Sequence, residues 1–374
     1  MGSIDGFVMN GGDGDESYTR NSSFQKSAID TSKSLIRKSI AEHLTLTSSR
    51  TFRIADLGCS AGPNTLFAVE NILDAIKLKL STHSNIPDNN NNSNNKNSNS
   101  QNSNNKNSKT SAEFHVYFND HALNDFNTLF KSLPTERDYY ASGVPGSFHG
   151  RIFPSGSLDV VHCSSALHWL SEAPRMANPG RAYCCGARDE VAKAYTWRHA
   201  DDVSRFLEAR AREVVQGGLV VLVIPARGNG VPYTRLGWSV LLDLLGECLV
   251  DLAREGIFDE EKVDEFNFPF YFTSPRELEQ IIEQNGFFII EKMEGLTEVK
   301  SEVDFIHDLQ YAAKFFRATT SELIGNHFGH EILDRVFHTL FPQKLVREKN
   351  RVISSSPSIF LFVLLKRRPD ILQN

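Results

Sequence analysis

Residues 52–65 read FRIADLGCSAGPNT, and no other stretch limits the possible folds as severely. A short apolar run from Phe52 to Leu57 reads as a strand. Gly58, Cys59, Ser60, Gly62, Pro63 and Asn64 read as a turn, and LFAVENILDAIKLKL continues with a helical period. Glycine permits positive φ and lets a ligand approach the backbone, while the start of the next helix offers free N–H groups. Strand, glycine-rich turn and helix together form the nucleotide-binding corner of a doubly wound α/β domain. The spacing is not that of a dinucleotide site. A third glycine to admit a pyrophosphate is missing, and the acidic residue, Asp56, comes before the turn. Asp-x-Gly-x-x-x-Gly suits a ligand that joins an adenosine to a cationic amino-acid tail, which is what S-adenosylmethionine is.

The rest of the chain alternates in the same way. FRIADL, EFHVYFND, LDVVHCSSAL and GLVVLVIPA are β-rich runs, separated by helical patterns such as 201–215, which runs into Gly217-Gly218; FFIIEKM and SIFLFVLL add late strands. Alternating β and α predicts a largely parallel Rossmann-like sheet with helices on both faces. Segments 229–272 and 300–348 are helical in period and fall outside this alternation, so they predict an α-helical cap over the carboxyl ends of the strands. Residues 88–110 are almost wholly Asn, Ser and Lys and read as a disordered insertion in one connection, because they have nothing to bury. The expected organisation is a core over 1–228 carrying that insertion, a mainly helical cap over 229–348 with a core strand interleaved near 286–293, and a final core strand within 349–374.

Composition excludes several classes. The 374 residues are 40% hydrophobic and carry a net charge of −6, which suits a large globular core and gives no footprint for nucleic acid. The five cysteines, Cys59, Cys163, Cys184, Cys185 and Cys248, show no zinc spacing. Their odd number, with no secretory or myristoylation signal at the start, reads as reduced thiols in the cytoplasm. The longest apolar run, IFLFVLL, suits a buried strand and is too short to span a membrane.

Several longer segments point to one family. MNGGDGDESYTRNSSFQ, DLGCSAGPNT, FNDHALNDFNTLF, SGVPGSFHGRIFP, ALHWLSEAP, ARAREVVQGG and VDEFNFP occur in this order, and in all of them the chain resembles the plant SABATH methyltransferases. The resemblance runs from about Met9 to the C-terminus. It implies a class I methyltransferase fold, S-adenosylmethionine as methyl donor, methylation of small carboxylic acids or, in the caffeine branch, purine nitrogens, and a homodimer. The implied cofactor shell is Tyr18, Asp56, Cys59, Asn64, Asp120, His121, Ser147, Phe148 and Ser164. Asp120 ends a strand where a ribose is held through its two hydroxyls; Asp56 and Asn64 would bear on the amino-acid tail; Phe148 would stack on adenine, with Ser147 at its edge. His121 departs from the family, which more often has Leu there.

Methyl transfer to a carboxylate needs no general base, because the acid is already ionised at neutral pH. The enzyme has to position the acid and exclude water, so no residue is assigned a chemical step. Neutral donors suit this work, since a full cation would weaken the carboxylate as a nucleophile. Gln25 and Trp169 are donors of that kind, and the resemblance implies that they tether the carboxylate. His168, beside Trp169, stands where salicylate-type members have Met and jasmonate-, indoleacetate-, loganate- and purine-type members have His. Ser165 stands where most members carry Tyr, which argues against xanthine and for a bulkier acid, whether hormone-like, terpenoid or aromatic. Leu241, Leu242 and Leu245 offer apolar wall or plain core. Asn178, Asp264, Phe266 and Asn267 match positions that the family associates with Mg²⁺, and a loop clamp of Asp and Asn side chains reads them equally well. Beyond carboxyl methylation, the alternatives are purine N-methylation and a catalytically silent member that binds a small molecule.

Overall fold

A computed structural model describes residues 7–46, 51–84, 112–296, 299 and 304–369; the Asn/Ser tract at 88–110 lies outside them. Seven strands form one sheet: β1 (Thr51–Leu57), β2 (Glu113–Asp120), β3 (Tyr140–Pro145), β4 (Leu158–Ser164), β5 (Val214–Ala226), β6 (Phe288–Leu296) and β7 (Ile359–Arg367). Their order is β3-β2-β1-β4-β5-β7-β6. The first five are mutually parallel, and β7 runs antiparallel to both of its neighbours. The chain builds outward from β1 in one direction, then returns to build from β4 in the other. The crevice at the carboxyl ends of β1 and β4 is therefore the switch point, where such sheets bind ligands.

Nine named helices accompany the sheet: α1 (Ser23–His43), α2 (Asn64–Ser84), α3 (Phe126–Lys131), α4 (Asp189–Glu213), α5 (Gly237–Arg254), α6 (Glu260–Asp264), α7 (Pro275–Asn285), α8 (Asp304–His307) and α9 (Leu309–Phe328). A short helical run over 330–353 follows. Side chains alternate along each strand, and the two faces make two cores. Leu219, Val221 and Val223 of β5 pack with α1, α2, α5 and α9 on one face. Val220, Leu222 and Ile224 pack with α4 and α7 on the other. Each of these fully buried side chains contributes about 1.5–3 kcal/mol through loss of apolar surface from water. The two-sided burial explains why β5 and β7 read as unbroken apolar runs. No helix among the described residues is long and apolar enough to cross a membrane.

Three sequence readings are corrected. The helix expected over 201–215 spans Asp189–Glu213, because β-branched Val214 already pairs with Leu158 in the sheet. The end of the expected helical segment 229–272 is irregular from Phe266 onward; Phe270 forms an isolated bridge with Trp169, and Asn-Phe-Pro breaks the helical run. The edge strand β3, pairing Tyr140–Pro145 with β2, gave no strand signal because YASGVP has one solvated side and no apolar alternation.

A buried ion pair ties α4 to the switch point. Arg210 and Glu213 are both fully buried. Arg210 Nε donates to Glu213 Oε2 at 2.7 Å, Nη1 to the Phe148 carbonyl at 2.8 Å and Nη2 to the Gly150 carbonyl at 3.0 Å. Glu213 Oε1 accepts from the Ile152 and Phe153 N–H groups at 2.6 and 2.8 Å. One pair thus satisfies four backbone groups of the 148–153 loop. Removing one partner of such a pair strands the other charge. Arg210→Met should therefore destabilise by about 3–5 kcal/mol in urea unfolding, and Arg210→Met/Glu213→Leu by less than the single change. A single-mutant cost below about 1 kcal/mol would show that the loop is held by something else.

Candidate active site

The turn after β1 is set by β2. The N–H groups of Gly58 and Cys59 both donate to the Asn119 carbonyl at 2.9 Å, and the Ser60 N–H donates to Asp120 Oδ2 at 2.7 Å. Gly58 has φ of 76° and Ser60 of 51°. A Cβ on Gly58 would lie 2.3 Å from Cβ of Ala166, so the β1 turn and the loop after β4 touch at a position that only glycine fits. In that second loop Ser165 is also left-handed, with φ of 52°. Non-glycine residues held this way cluster at binding sites.

Between these turns opens a cavity of about 1010 Å³, counting its mouth. Its polar lining includes Tyr18, Gln25, Ser60, Asp120, His121 and His168, and its apolar lining the rings of Phe24, Trp238, Phe270, Phe315 and Phe360. Phe360 contributes because the start of antiparallel β7 lies at the carboxyl ends of its neighbours. A smaller pocket of about 290 Å³, between α1, α2 and the sheet, shares Tyr18, Gln25 and Gly58 with it and adds Asp56, Cys59, Asn64 and Ser164.

Most of the expected cofactor shell is thereby gathered. Asp120 Oδ1 also accepts from the His121 N–H at 2.7 Å; burial raises its carboxyl, and the two N–H bonds work against that rise. Asn64 Nδ2 donates to the carbonyl and hydroxyl of Ser22 at 3.0 and 2.9 Å, tying the start of α1 to that of α2. Burial pushes the Cys59 thiol and the Tyr18 phenol well up, so both act as neutral wall. Phe148 lines the large cavity. Ser147 is exposed and lines neither cavity.

On the substrate side Gln25 lines both cavities, and its buried Oε1 has no partner. The ring of His168 is stacked between Phe270 and Phe272 at 5.9 Å from each. Burial takes it down to about 3, so it is a neutral imidazole at physiological pH. The Trp169 indole packs on Phe270 at 4.1 Å. Leu242 lines the cavity, whereas Leu241 and Leu245 are core. Sequence reasoning missed Trp238, Thr319 and Thr320, which also line it; a period that places residues on a buried helix face gives no sign of which ones border empty space.

Three of the four candidate metal positions are tied through Asn178, which bonds Asn267 by its side chain and the Asp264 carbonyl by its N–H. Asn178 Nδ2 donates to Asn267 Oδ1 at 3.1 Å and to the Tyr183 carbonyl at 3.0 Å. Asn267 Nδ2 donates to the carbonyls of Pro174 and Met176, and Asp264 Oδ1 accepts from the Gly180 N–H at 2.7 Å. The Phe266 ring is buried against Phe268 and Phe328. With amide N–H groups turned inward and a single carboxylate, this donor set fits a loop clamp and does not fit a cation cage. Among the described residues, no three His, Cys, Asp or Glu side chains cluster as metal ligands.

A seven-stranded sheet with an adenosine-sized corner, an acidic residue ending β2 and two left-handed turns defines an S-adenosylmethionine-dependent methyltransferase fold. Residues 5–368 match the family model described as SAM-dependent carboxyl methyltransferase, and the chain belongs to that family. It is 38% identical to loganic acid O-methyltransferase of Catharanthus roseus over 98% of this chain and 95% of that protein. It is 34% identical to farnesoic acid carboxyl-O-methyltransferase of Arabidopsis thaliana, over 96% and 99%. A solved structure titled loganic acid methyltransferase with SAH superposes with a TM-score of 0.86 at 37% identity, covering 98% of this chain and all of that one.

The buried histidines set an acid limit on the fold. His149 and His199 are both buried, and burial takes each down to about 3. Both are neutral in the fold and charge in the unfolded chain below about pH 6.5. The unfolded state then binds the extra protons, so stability is complete above about pH 6.5 and is lost as the pH falls from there toward 3. With His168, which burial also takes down to about 3, the three together should cost about 4 kcal/mol at pH 5.5 relative to pH 7.5. Urea midpoints across that range measure it, and the His199→Phe variant should show a shallower slope.

Proposed function

We propose that this chain esterifies a small carboxylic acid with a sizeable apolar body, by in-line methyl transfer without a catalytic base. The observation that carries this is the charge of the cavity. No lysine or arginine lines it among the described residues, and His168 in its lining is neutral. A carboxylate placed there meets only neutral donors and keeps its nucleophilicity. S-adenosylmethionine supplies the methyl group as a sulfonium and leaves as a neutral thioether, so no proton needs to move.

The chain's residues then have positioning roles. Gln25, facing both cavities, would hold the carboxylate on the border between acid and cofactor. Trp169 would fix the other carboxylate oxygen through its indole N–H, with Phe270 fixing the ring. Asp120 would take the ribose hydroxyls, and Phe148 the adenine face. The cap rings exclude water, which strengthens these hydrogen bonds. Ser165 in place of an aromatic ring leaves room beside the acid, supporting a bulky body over a flat purine. We also propose a cytoplasmic homodimer, which sedimentation equilibrium tests for its assembly.

A radiolabelled methyl-transfer screen over hormone-like, terpenoid and aromatic acids, with xanthines as the contrasting arm, tests the reading. Ester formation is expected; methylation of xanthine alone, or binding of S-adenosylhomocysteine with no turnover on any acid, would overturn it. Trp169→Phe should lower kcat/KM for the acid by about tenfold or more, the worth of one hydrogen bond to a charged group, while cofactor affinity barely changes. The rate should stay flat from about pH 6.5 to 9.

Metal removal gives a separate check. Asp264 and its partners are read as a clamp, so dialysis against EDTA should leave activity within about twofold. A loss restored by Mg²⁺ would return these residues to a metal role.

A further inference from the structure

The smaller pocket holds a histidine that the roles above do not use. His162 of β4 is fully buried and lines the pocket. Its Nδ1 lies 2.7 Å from Asp56 Oδ1, and the other carboxylate oxygen, Oδ2, accepts from the Thr65 hydroxyl at the start of α2. Its second nitrogen, Nε2, is buried without a partner. Two other buried atoms of the same pocket share that state, Gln25 Oε1 and Ser164 Oγ. Buried polar atoms are nearly always paired, so three orphans around one small pocket mark the place of a polar occupant.

We infer that His162 is a cofactor-binding residue, taking the α-ammonium of the methionyl tail at Nε2. This rests on the S-adenosylmethionine reading above. A carboxylate only accepts, so Nδ1 carries the proton of the bond to Asp56, and in the neutral imidazole the unpartnered Nε2 presents a lone pair. A lone pair calls for an N–H or O–H donor, and in the methionyl tail the ammonium is the only one. Asp56 lines the same pocket, and each of its oxygens has one protein partner and a lone pair to spare, so its charge bears on the ammonium beside the imidazole. Thr65 and Asp56 act behind it as positioning residues.

The test compares two ligands, S-adenosylhomocysteine and 5′-methylthioadenosine, which lacks the amino-acid tail. His162→Asn places its amide nitrogen where Nδ1 sits, so the Asp56 bond survives, and deletes Nε2. Calorimetry should show S-adenosylhomocysteine weakened about tenfold or more, with methylthioadenosine within about twofold of wild type. An unchanged S-adenosylhomocysteine affinity, or a parallel loss for both ligands, overturns the inference and leaves His162 with a buried water or a structural role. Should the variant fail to fold, ¹⁵N-histidine spectra of the normal protein decide. The Nε2 resonance should move with S-adenosylhomocysteine and stay put with methylthioadenosine; no movement, or equal movement with both, refutes the contact. A normal protein that binds neither ligand would fail the cofactor reading itself, which is a distinct result.

Discussion

Everything at the switch point depends on how the end of β2 grips the turn after β1. One carbonyl, that of Asn119, accepts two successive N–H groups, and the next side chain, Asp120, takes the third. Three consecutive backbone donors aimed at one strand end leave the turn little freedom. The grip orients the start of α2, and through the contact of Gly58 with Ala166 it also sets the loop that carries His168 and Trp169. The spacing between the turn after β1 and the loop bearing His168 and Trp169 is thus fixed by a contact too close for a side chain at Gly58. In-line transfer is sensitive to errors of about 1 Å, so a rigid turn serves the chemistry better than a mobile one.

Sequence legibility followed local chemistry. Asp56, Gly58 and Asn64 were readable because strand, glycine turn and helix start are adjacent in the chain, and each uses its residue type for a local reason. β5 and β7 were readable because two-sided burial leaves unbroken apolar runs. β3 was not, since an edge strand paired on one side has no pattern to show. Family resemblance carried Gln25, Trp169 and Asp120 further than their residue types could. The partners of Asp56 were invisible, because the contact with His162 spans 106 positions and no spacing rule reaches that far. The Asn and Asp residues at 178, 264 and 267 show the reverse case: their types suit a metal, and only their hydrogen bonds show that neighbouring backbone groups and one another occupy them.

Electrostatically, the site keeps formal charge away from the reacting acid. Its carboxylates, Asp56 and Asp120, lie beside the turn after β1, where the proposed sulfonium donor would sit. The substrate side is built from rings, amides and a neutral imidazole. Such a division favours a cation and an anion meeting at the border, and it removes protein charge from the place where their own charges cancel.

The walls of this site come from both ends of the chain. The Asn10 N–H donates to the Ala318 carbonyl at 2.8 Å, the Phe24 N–H to the Tyr311 hydroxyl at 3.0 Å, and Glu16 meets Arg317 and His338 at 2.8 and 2.9 Å. Tyr18 and Gln25 are carried on that same N-terminal stretch. During synthesis the segment emerges nearly three hundred residues before its partners. At translation rates of about 5–20 residues per second, it waits tens of seconds before the contacts that shape its end of the cavity exist. The segment at 10–25 therefore takes its final place only after residues 311–338 have been made, and until then the site lacks one of its walls.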